Sequence, residues 1–505
     1  MVQLEHSQRY ILAVDQSTTS SSAFIFDRGG GLVSSATQEI TQFHPEAGWV
    51  DQDPEEIIRS IMIVAREAIA SAKLTSEQVS AIGITNQRET TVIWERATGR
   101  PVAPAIVWQC RRTAPLCEAL TKQGMETTVR ERTGLVIDPY FSATKIRWLL
   151  DNISNGQKRA DNGELCVGTV DSWLLYTLTN GEVHATDISN ASRTMLFNIH
   201  TQEWDSGLLT HMSIPMCLMP EVRPSNGFFG ETDSELFGVG IPITCLIGDQ
   251  SAALFGQACF QPGMIKNTYG TGSFLLMQTG DQPSQPTPGL LTTVGWQREG
   301  RQTQYAQEGS IFITGSAIQW LRDGLGIIEN AAETSDIALS IPDTGGMYFV
   351  PAFAGLGAPH WDMYARGTMV GLTSGTSRAH IIRATLESIA YQVKDVLNVI
   401  QASSQIDVTV LRADGGGAAN PFLMQFQADI LGIPVEVPAI SETTALGTAY
   451  LAGLAVGFWD NQQELSDQRL LNSRYEPRIS TAESDKLYSS WLRAMERARN
   501  WELPT

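Results

Sequence analysis

An α/β chain of two similar lobes is the fold class this sequence predicts, and three observations predict it. Short apolar strands alternate with amphipathic helices along most of the length, the pattern of a mixed sheet covered by helices. A strand, a polar turn and a second strand open the chain at Tyr10, and the same opening recurs after Gly256, an internal duplication. At 505 residues, typical domain sizes alone allow about three units, but the repeat favours two. The expected lobes are residues 1–256 and 257–505, with the boundary near residues 256–262.

Tyr10 to Val14 reads as the first strand and ends at the carboxylate Asp15. A Ser/Thr-rich turn over Gln16 to Ser22 follows, then a strand Ala23 to Phe26, and Gly29-Gly30-Gly31 turns the chain into a third. Asp53-Pro54-Glu55-Glu56 combines a cap, a first-turn proline and early acids, which starts a helix running to about Ala72. Strands are expected again at Val79 to Ile84, Thr90 to Trp94 and Ile243 to Ile247, the last leading into a helix Ser251 to Gly256. In the second half, Gly263 to Tyr269 reads as a strand, Gly270-Thr271-Gly272-Ser273 as a tight turn and Phe274 to Gln278 as the returning strand. A Pro-rich loop, Asp281 to Gly289, precedes a hairpin from Leu291 to Gln307. A long helix from about Arg378 to Gln401 leads to strand Val408 to Arg412 and the turn Asp414-Gly415-Gly416-Gly417. Helices Asn420 to Leu431 and Thr443 to Phe458 close the core.

A formal charge of -19 argues against nucleic acid or anionic membrane as partner. MVQLEHSQRY at the start has no apolar signal core, and no uninterrupted apolar run reaches membrane-spanning length, so no membrane insertion is expected. Six cysteines (110, 117, 166, 217, 245, 259) show no CxxC pairing and no metal-site spacing with histidine. They read as reduced thiols, mostly buried, in a cytoplasmic protein. None of the seven lysines follows a glycine, which removes the GxxxxGK[ST] phosphate loop. GxGxxG, HRD, DFG and HExxH are absent too, so any phosphate handling uses another design.

Four stretches carry chemistry. Arg88 and Glu89 stand together after an apolar strand, and a guanidinium beside a carboxylate supplies the donors and acceptors that grip hydroxyls. A salt bridge is the other reading of that pair. Asp15-Gln16-Ser17-Thr18-Thr19-Ser20 sets hydroxyls and backbone N–H groups behind a carboxylate that can face hydrated Mg²⁺. Gly270-Thr271-Gly272 is a second candidate cradle, although either stretch also suits a plain hairpin turn. Asp414-Gly415-Gly416-Gly417 before a helix start leaves room for a flat group or a phosphate, or makes a tight strand-to-helix turn. Asp249, after Gly248 at a helix start, suits a general base, a metal contact or a simple N-cap.

Taken together these segments resemble the FGGY carbohydrate kinases, and within that family the branch acting on glycerol. The resemblance runs from Tyr10 to about Trp459. Its most specific stretches are Gly83 to Thr91, Ala105 to Thr113, Thr133 to Ser142, Asn190 to Thr201, Gly248 to Gln250 and Asn267 to Phe274. Phe353 to Pro359 and Ala445 to Trp459 add to it, and Tyr140 to Asn152 and Gly367 to Glu387 resemble two signatures of the wider superfamily. Ketose kinases of the family typically carry a Gln-Met-His-Gly type segment where this chain has Gln87 to Thr90, which narrows the substrate to a small polyol.

The resemblance implies a two-lobed actin-like ATPase fold, a duplicated RNase H-like unit with ATP and acceptor in the central cleft. It assigns Arg88, Glu89, Tyr140, Asp249 and Gln250 to the hydroxyls of glycerol, with Trp108 and Phe274 walling its carbons. Thr18, Thr19 and Ser20 match the first phosphate turn and Thr271 the second, while Gly315, Gln319, Gly416 and Asn420 match the nucleotide side. Asp15 and Asp249 match the carboxylates around Mg²⁺, with Asp249 as catalytic base. Homo-oligomers, dimer or tetramer, are also implied. The other readings are a family member acting on a ketose or pentitol, and an actin-like ATPase working as chaperone or filament subunit.

Two departures bear on ATP. The family usually has Gly where this chain has Ser17, and often Arg where it has Ser22. Some bacterial relatives bind fructose 1,6-bisphosphate through a Gly-Gly-x-Arg loop, but the comparable stretch Asp233 to Gly240 has no basic residue. The histidine that phosphotransferase systems modify in other relatives is also missing, so neither control is expected here.

Overall fold

Two mixed sheets of matching topology organise the computed structural model, which describes residues 9–404 and 406–502. The outermost ends of the two expected lobes, residues 1–8 and 503–505, lie outside the described residues. The first sheet contains β1 (Tyr10–Gln16), β2 (Ser20–Phe26), β3 (Leu32–Glu39), β4 (Val79–Asn86), β5 (Asn226–Glu231) and β6 (Pro242–Gly248). The second contains β7 (Ile265–Tyr269), β8 (Ser273–Gly280), β9 (Leu291–Trp296), β10 (Gln304–Ile311), β11 (Leu411–Asp414), β12 (Val435–Pro438) and β13 (Leu471–Tyr475).

Strand order is β5-β6-β4-β1-β2-β3 in one sheet and β9-β10-β8-β7-β11-β12-β13 in the other. In each, an antiparallel meander (β1-β2-β3, β7-β8-β10) is followed by two parallel strands (β4 and β6, β11 and β12). An antiparallel strand, β5 or β13, closes the far side of the parallel pair. The duplication expected from the two similar openings is therefore present in the backbone.

Period-two burial explains why β1 can sit at the centre. Leu12 and Val14 face one core with helix α1 (Pro54–Ser71), while Ile11 and Ala13 face another. Asp53 caps α1, its Oδ1 accepting from the Glu55 N–H at 2.9 Å, as the Asp-Pro-Glu-Glu run predicts. The remaining framework helices are α2 (Asp249–Gly256), α3 (Arg378–Ser404), α4 (Pro421–Leu431) and α5 (Thr443–Ala455).

The two lobes meet through α2 and α5. Each follows the last parallel strand of its own half, yet α5 packs on β1, β4 and β6, and α2 contacts β7 and β8. They cross at Gly256 and Gly447, where a Cβ on either would overlap the Thr443 or Ala252 carbonyl oxygen. One apolar core runs through the junction, with Ile11, Phe24, Ile247, Leu254, Phe255, Leu276, Trp296 and Leu446 among its members. Each fully buried aliphatic or aromatic side chain there contributes roughly 1.5–3 kcal/mol.

Three sequence expectations shift. The first turn is only Ser17 to Thr19, because Ser20, Ser21 and Ser22 stay in β2. Two of their hydroxyls find partners there, Ser21 against Ser60 of α1 at 2.7 Å and Ser22 against Thr37 of β3 at 2.9 Å. The strand expected at Val408 to Arg412 is displaced to β11, where Leu411 to Asp414 find ladder partners in β7 and Leu411 and Arg412 also in β12. Asp249 is not an N-cap; Gly248 holds that position and Asp249 begins the helix. All six cysteines are free, five buried and Cys217 exposed. No helix of the described residues is long and apolar enough to cross a membrane.

Candidate active site

The two polar turns that head the halves are built alike. Between β1 and β2, the Ser17 N–H donates to Ser20 O at 2.9 Å and the Ser17 hydroxyl to Asp15 Oδ1 at 3.1 Å. Gln52 Nε2 holds Thr18 O at 2.6 Å, and Thr19 is exposed at the tip. Between β7 and β8, the Gly270 N–H donates to Gly272 O at 2.8 Å. That second turn docks on the start of helix Gly315–Asp323, whose Gly315 and Ser316 N–H groups donate to Gly270 O and Thr271 O at 3.0 and 3.1 Å. A Cβ at Gly315 would lie 2.5 Å from Gly270 O, so the close approach requires glycine. Thr271 and Gly315 thus belong to one junction, and Gln319 lies exposed further along the same helix.

A third loop completes this side. Gly415 has φ +81° and no space for a side chain against the Tyr269 backbone, whereas Gly416 opens onto empty space. Asn420 caps α4, its Oδ1 accepting from the Leu423 N–H at 3.0 Å while its Nδ2 donates to Thr334 Oγ1 at 2.9 Å. The loop connects back through Asp414, which accepts from Thr268 Oγ1 at 2.6 Å; Thr268 in turn accepts from Lys266 Nζ at 2.8 Å. Lys266 also donates to Gln250 Oε1 at 2.5 Å, joining the second sheet to α2.

Arg88 and Glu89 come just after β4, and both are buried. They are not each other's close partner: Arg88 Nε is 3.9 Å from Glu89 Oε1. Arg88 instead grips Glu308 of β10 with both terminal nitrogens, at 2.6 and 3.1 Å, and turns Nε to Asp249 Oδ1 at 3.2 Å. Glu89 accepts from Arg193 Nε at 2.6 Å, and Arg193 Nη2 donates to Glu308 Oε1 at 3.0 Å. Glu89 adopts φ +60°, and its carbonyl is held by Ser142 Oγ at 3.0 Å and Lys145 Nζ at 3.3 Å. A left-handed backbone at a non-glycine residue persists only where surrounding bonds enforce it.

Aromatic rings wall the same space. Trp108 stands edge-on to Tyr140 at 5.6 Å and to Phe274 at 6.4 Å between ring centroids, and the Arg88 guanidinium lies 5.9 Å from the Phe274 ring. Trp108 Nε1 donates to Thr18 Oγ1 at 2.9 Å, which ties the wall to the first turn. Asp249 keeps 28 % of its side chain exposed beside this wall, while Arg88 is 2 % exposed.

The electrostatics set the carboxylates apart. Burial pushes Asp15 up to about 7, helped by the negative charges of Asp249 and Glu442. Asp249 is also raised, since burial outweighs the opposing pull of Arg88. Glu308 behaves oppositely: burial alone would raise it, but Arg193 and Arg88 together hold it at about 2. Burial lowers Lys266 to about 8 against the opposing attraction of Asp414 and Asp249. Among the described residues, no group of three or more His, Cys, Asp or Glu side chains could hold a metal ion unaided.

The structure brings Arg88, Glu89, Tyr140, Asp249, Gln250, Trp108 and Phe274 into one connected cluster, with Asp15 and Thr18 at its edge. Thr271, Gly315 and Gln319 group on the second lobe, as do Gly416 and Asn420. Three members of the network escape sequence reasoning: Arg193, Glu308 and Lys266. Arg193 lies inside the distinctive run Asn190 to Thr201, which is the signal that could have found it.

Models of the FGGY family of carbohydrate kinases match the chain twice, the N-terminal domain over residues 10–256 and the C-terminal domain over 265–456. The chain belongs to this family. Among similar FGGY proteins, glycerol kinase 2 of Thermotoga maritima is 57 % identical over 98 % of this chain and 99 % of its own length. Glycerol kinase of Caldanaerobacter subterraneus subsp. tengcongensis is 56 % identical over 98 % of this chain and 99 % of its own. The crystal structure of Plasmodium falciparum glycerol kinase with ADP superposes with a TM-score of 0.90 at 37 % identity, covering 97 % of this chain and 98 % of that one. The FGGY fold seen here is the two-lobed actin-like ATPase fold.

Proposed function

We propose that this chain transfers the γ-phosphoryl group of ATP to a terminal hydroxyl of glycerol, giving sn-glycerol 3-phosphate for glycerol catabolism. One observation carries the reading: Asp249, partly open to the cleft, lies 3.2 Å from Arg88 within the aromatic-walled cluster. The relatives named above support the choice of glycerol over a ketose or pentitol.

A primary alcohol is a poor nucleophile at neutral pH, so a carboxylate must accept its proton as the new O–P bond forms. Asp249 is the base: its proton affinity is raised by burial, and the neighbouring Arg88 charge keeps it from rising further. Arg88, Glu89, Tyr140 and Gln250 orient the hydroxyls, and Trp108 and Phe274 shield the carbons. Lys266 occupies Gln250 Oε1, which leaves the Gln250 NH₂ as the donor for a substrate oxygen. Such a site rejects molecules lacking a hydroxyl, because its buried polar groups would go unpaired.

Thr18, Thr19, Ser20 and Thr271 cradle the phosphates, and Gly315, Gln319, Gly416 and Asn420 form the nucleotide side. Residues 1–256 then supply acceptor and phosphate contacts, and residues 257–505 most nucleotide contacts. Asp15 and Asp249 suit Mg²⁺, since the charge of Asp249 raises the proton affinity of Asp15 and a cation beside them would relieve that repulsion. A protein site with so few ligands fits an ion that keeps waters and phosphate oxygens in its shell. When bound, Mg²⁺ supplies charge neutralisation at the transferring phosphoryl group.

ATP-dependent phosphorylation of glycerol by wild type and Asp249→Asn tests the proposal. The variant should lose about 10²–10⁴-fold in kcat. Equal turnover by the variant removes Asp249 as base, and preference for ribulose or xylulose overturns the substrate. Polymerisation with ATP and no glycerol phosphorylation points to a filament protein. Six free thiols suit a reducing cytoplasm, and size-exclusion chromatography checks the proposed dimer or tetramer.

A further inference from the structure

We propose that Glu308, contributed by β10 of the second lobe, is the positioning residue for Arg88 and so sets glycerol affinity from across the lobe boundary. The inference rests on the reading of Arg88 as a glycerol ligand and adds a residue that the family motifs in this sequence do not single out.

Glu308 is fully buried, and its carboxylate accepts from four donors. Arg88 supplies two at 2.6 and 3.1 Å, Arg193 one at 3.0 Å and Ser310 Oγ one at 3.1 Å. The two-point grip fixes the plane of the Arg88 guanidinium, which a single contact would not. It also divides that cation's donors. With both terminal nitrogens tied to Glu308, only Nε faces Asp249. The remaining terminal protons are directed by the grip rather than free to seek the nearest carboxylate.

Without Glu308, two buried guanidiniums would share Glu89 and Asp249 alone. Arg88 would turn its released nitrogens onto those carboxylates, the acceptors that glycerol needs. Arg193 has no slack to compensate, because its Nη1 is already buried with no hydrogen-bond partner among the described residues. The predicted loss is therefore in glycerol binding, not in ATP binding.

A purely structural tie between lobes would behave differently. The β9–β10 hairpin is already fastened to the first lobe by Thr292 N–H to Gly134 O at 3.0 Å, by Ser192 and Thr293 hydroxyls at 3.0 Å, and by Tyr305 OH to Ile199 O at 2.7 Å. Those bonds do not involve Glu308. Its removal should leave the hairpin seated while Arg88 is released.

Steady-state kinetics of full-length wild type, Glu308→Gln and Glu308→Asp test this. The expected result is a rise in KM for glycerol of roughly tenfold or more in Glu308→Gln, with a smaller rise in Glu308→Asp and KM for ATP nearly unchanged. In an Arg88→Ala background, Glu308→Gln should add no further rise, because its target is gone. Equal rises in both KM values, an unchanged glycerol KM, or full additivity with Arg88→Ala would overturn the inference. Should Glu308→Gln fail to fold, the same split read on Glu308→Asp decides. If wild type fails to phosphorylate glycerol, the functional reading falls first and this inference with it.

Discussion

Ser22 stands directly across the β1–β2 ladder from Asp15. Cross-strand partners share one face of a sheet with Cβ atoms about 5 Å apart, so this serine occupies the place from which a longer side chain reaches the first phosphate turn. Its hydroxyl is engaged with Thr37 at 2.9 Å in an exposed contact. The family resemblance sets an arginine against this position. Ser22→Arg should place a guanidinium beside Asp15 and the turn at Ser17 to Thr19, lowering KM for ATP by roughly two- to fivefold, the range of a half-exposed ion pair. KM for glycerol should stay unchanged. Kinetics identical to wild type would show that position 22 does not meet the nucleotide.

The local half of this site was legible in the sequence, and the long-range half was not. Arg88, Glu89 and Asp249 each come just after one of two adjacent parallel strands, so their placement comes with the strands. The α1 start was legible because cap, proline and acids are adjacent residues. Glu308 had no such mark: its partner Arg88 is 220 positions away in the chain, and it falls one residue past the hairpin expected over Leu291 to Gln307. Ser20 to Ser22 misled in the opposite sense, since three serines look like a turn until Ser60 and Thr37 are seen to take two of their hydroxyls. The duplication was legible from its two openings, but the α2–α5 crossing was not, because glycine signals closeness without naming the neighbour.

That crossing makes a stability prediction. A Cβ at Gly447 would overlap the Ala252 carbonyl oxygen, a backbone atom that cannot rotate away. Gly447→Ala must therefore separate α2 from α5 and loosen the core they share, a cost of about 1–3 kcal/mol or more. Because Asp249 and Gln250 sit on the first turn of α2, the displacement should reach the site. A fall in Tm accompanied by raised KM for both glycerol and ATP is expected. Unchanged Tm would mean that the helices are not held at this contact.

Lys266 offers a test of the donor pattern. Its ammonium holds Gln250 Oε1, which leaves the amide NH₂ free for the proposed glycerol contact. Lys266→Met frees the amide to flip, and kcat/KM for glycerol should fall by roughly tenfold or more, with partial recovery in Lys266→Arg. Burial has lowered the lysine to about 8, so the ammonium is lost as pH rises through that value and the neutral amine donates more weakly. Wild-type KM for glycerol should therefore climb above about pH 8, and Lys266→Arg should flatten that limb. A pH-independent glycerol KM in wild type would contradict the assignment.

Asp171 supplies the last prediction, away from the cleft. It is buried with no cationic partner among the described residues, its oxygens accepting from Thr169 Oγ1 at 2.5 Å and Thr186 Oγ1 at 2.6 Å. Burial, then the charge of Asp187, pushes it from 3.8 up to about 6, against those hydrogen bonds. The sign follows from proton counting. Between about pH 4 and pH 6 the folded state holds a proton that the unfolded state has released, so this residue's contribution to stability falls as pH rises through that window. Below it both states are protonated and the contribution is complete; above it the fold carries a buried charge. The span is worth about 3 kcal/mol at most. Denaturant unfolding of wild type at pH 5 and pH 8 should show greater stability at the lower value from this residue, and Asp171→Asn should reduce the difference. Hydroxyl donors that serve a carboxylate can also serve an amide oxygen, so the variant should fold. A pH dependence identical in both proteins would mean that Asp171 is already charged at pH 5 and that the hydroxyls of Thr169 and Thr186 suffice to stabilise it.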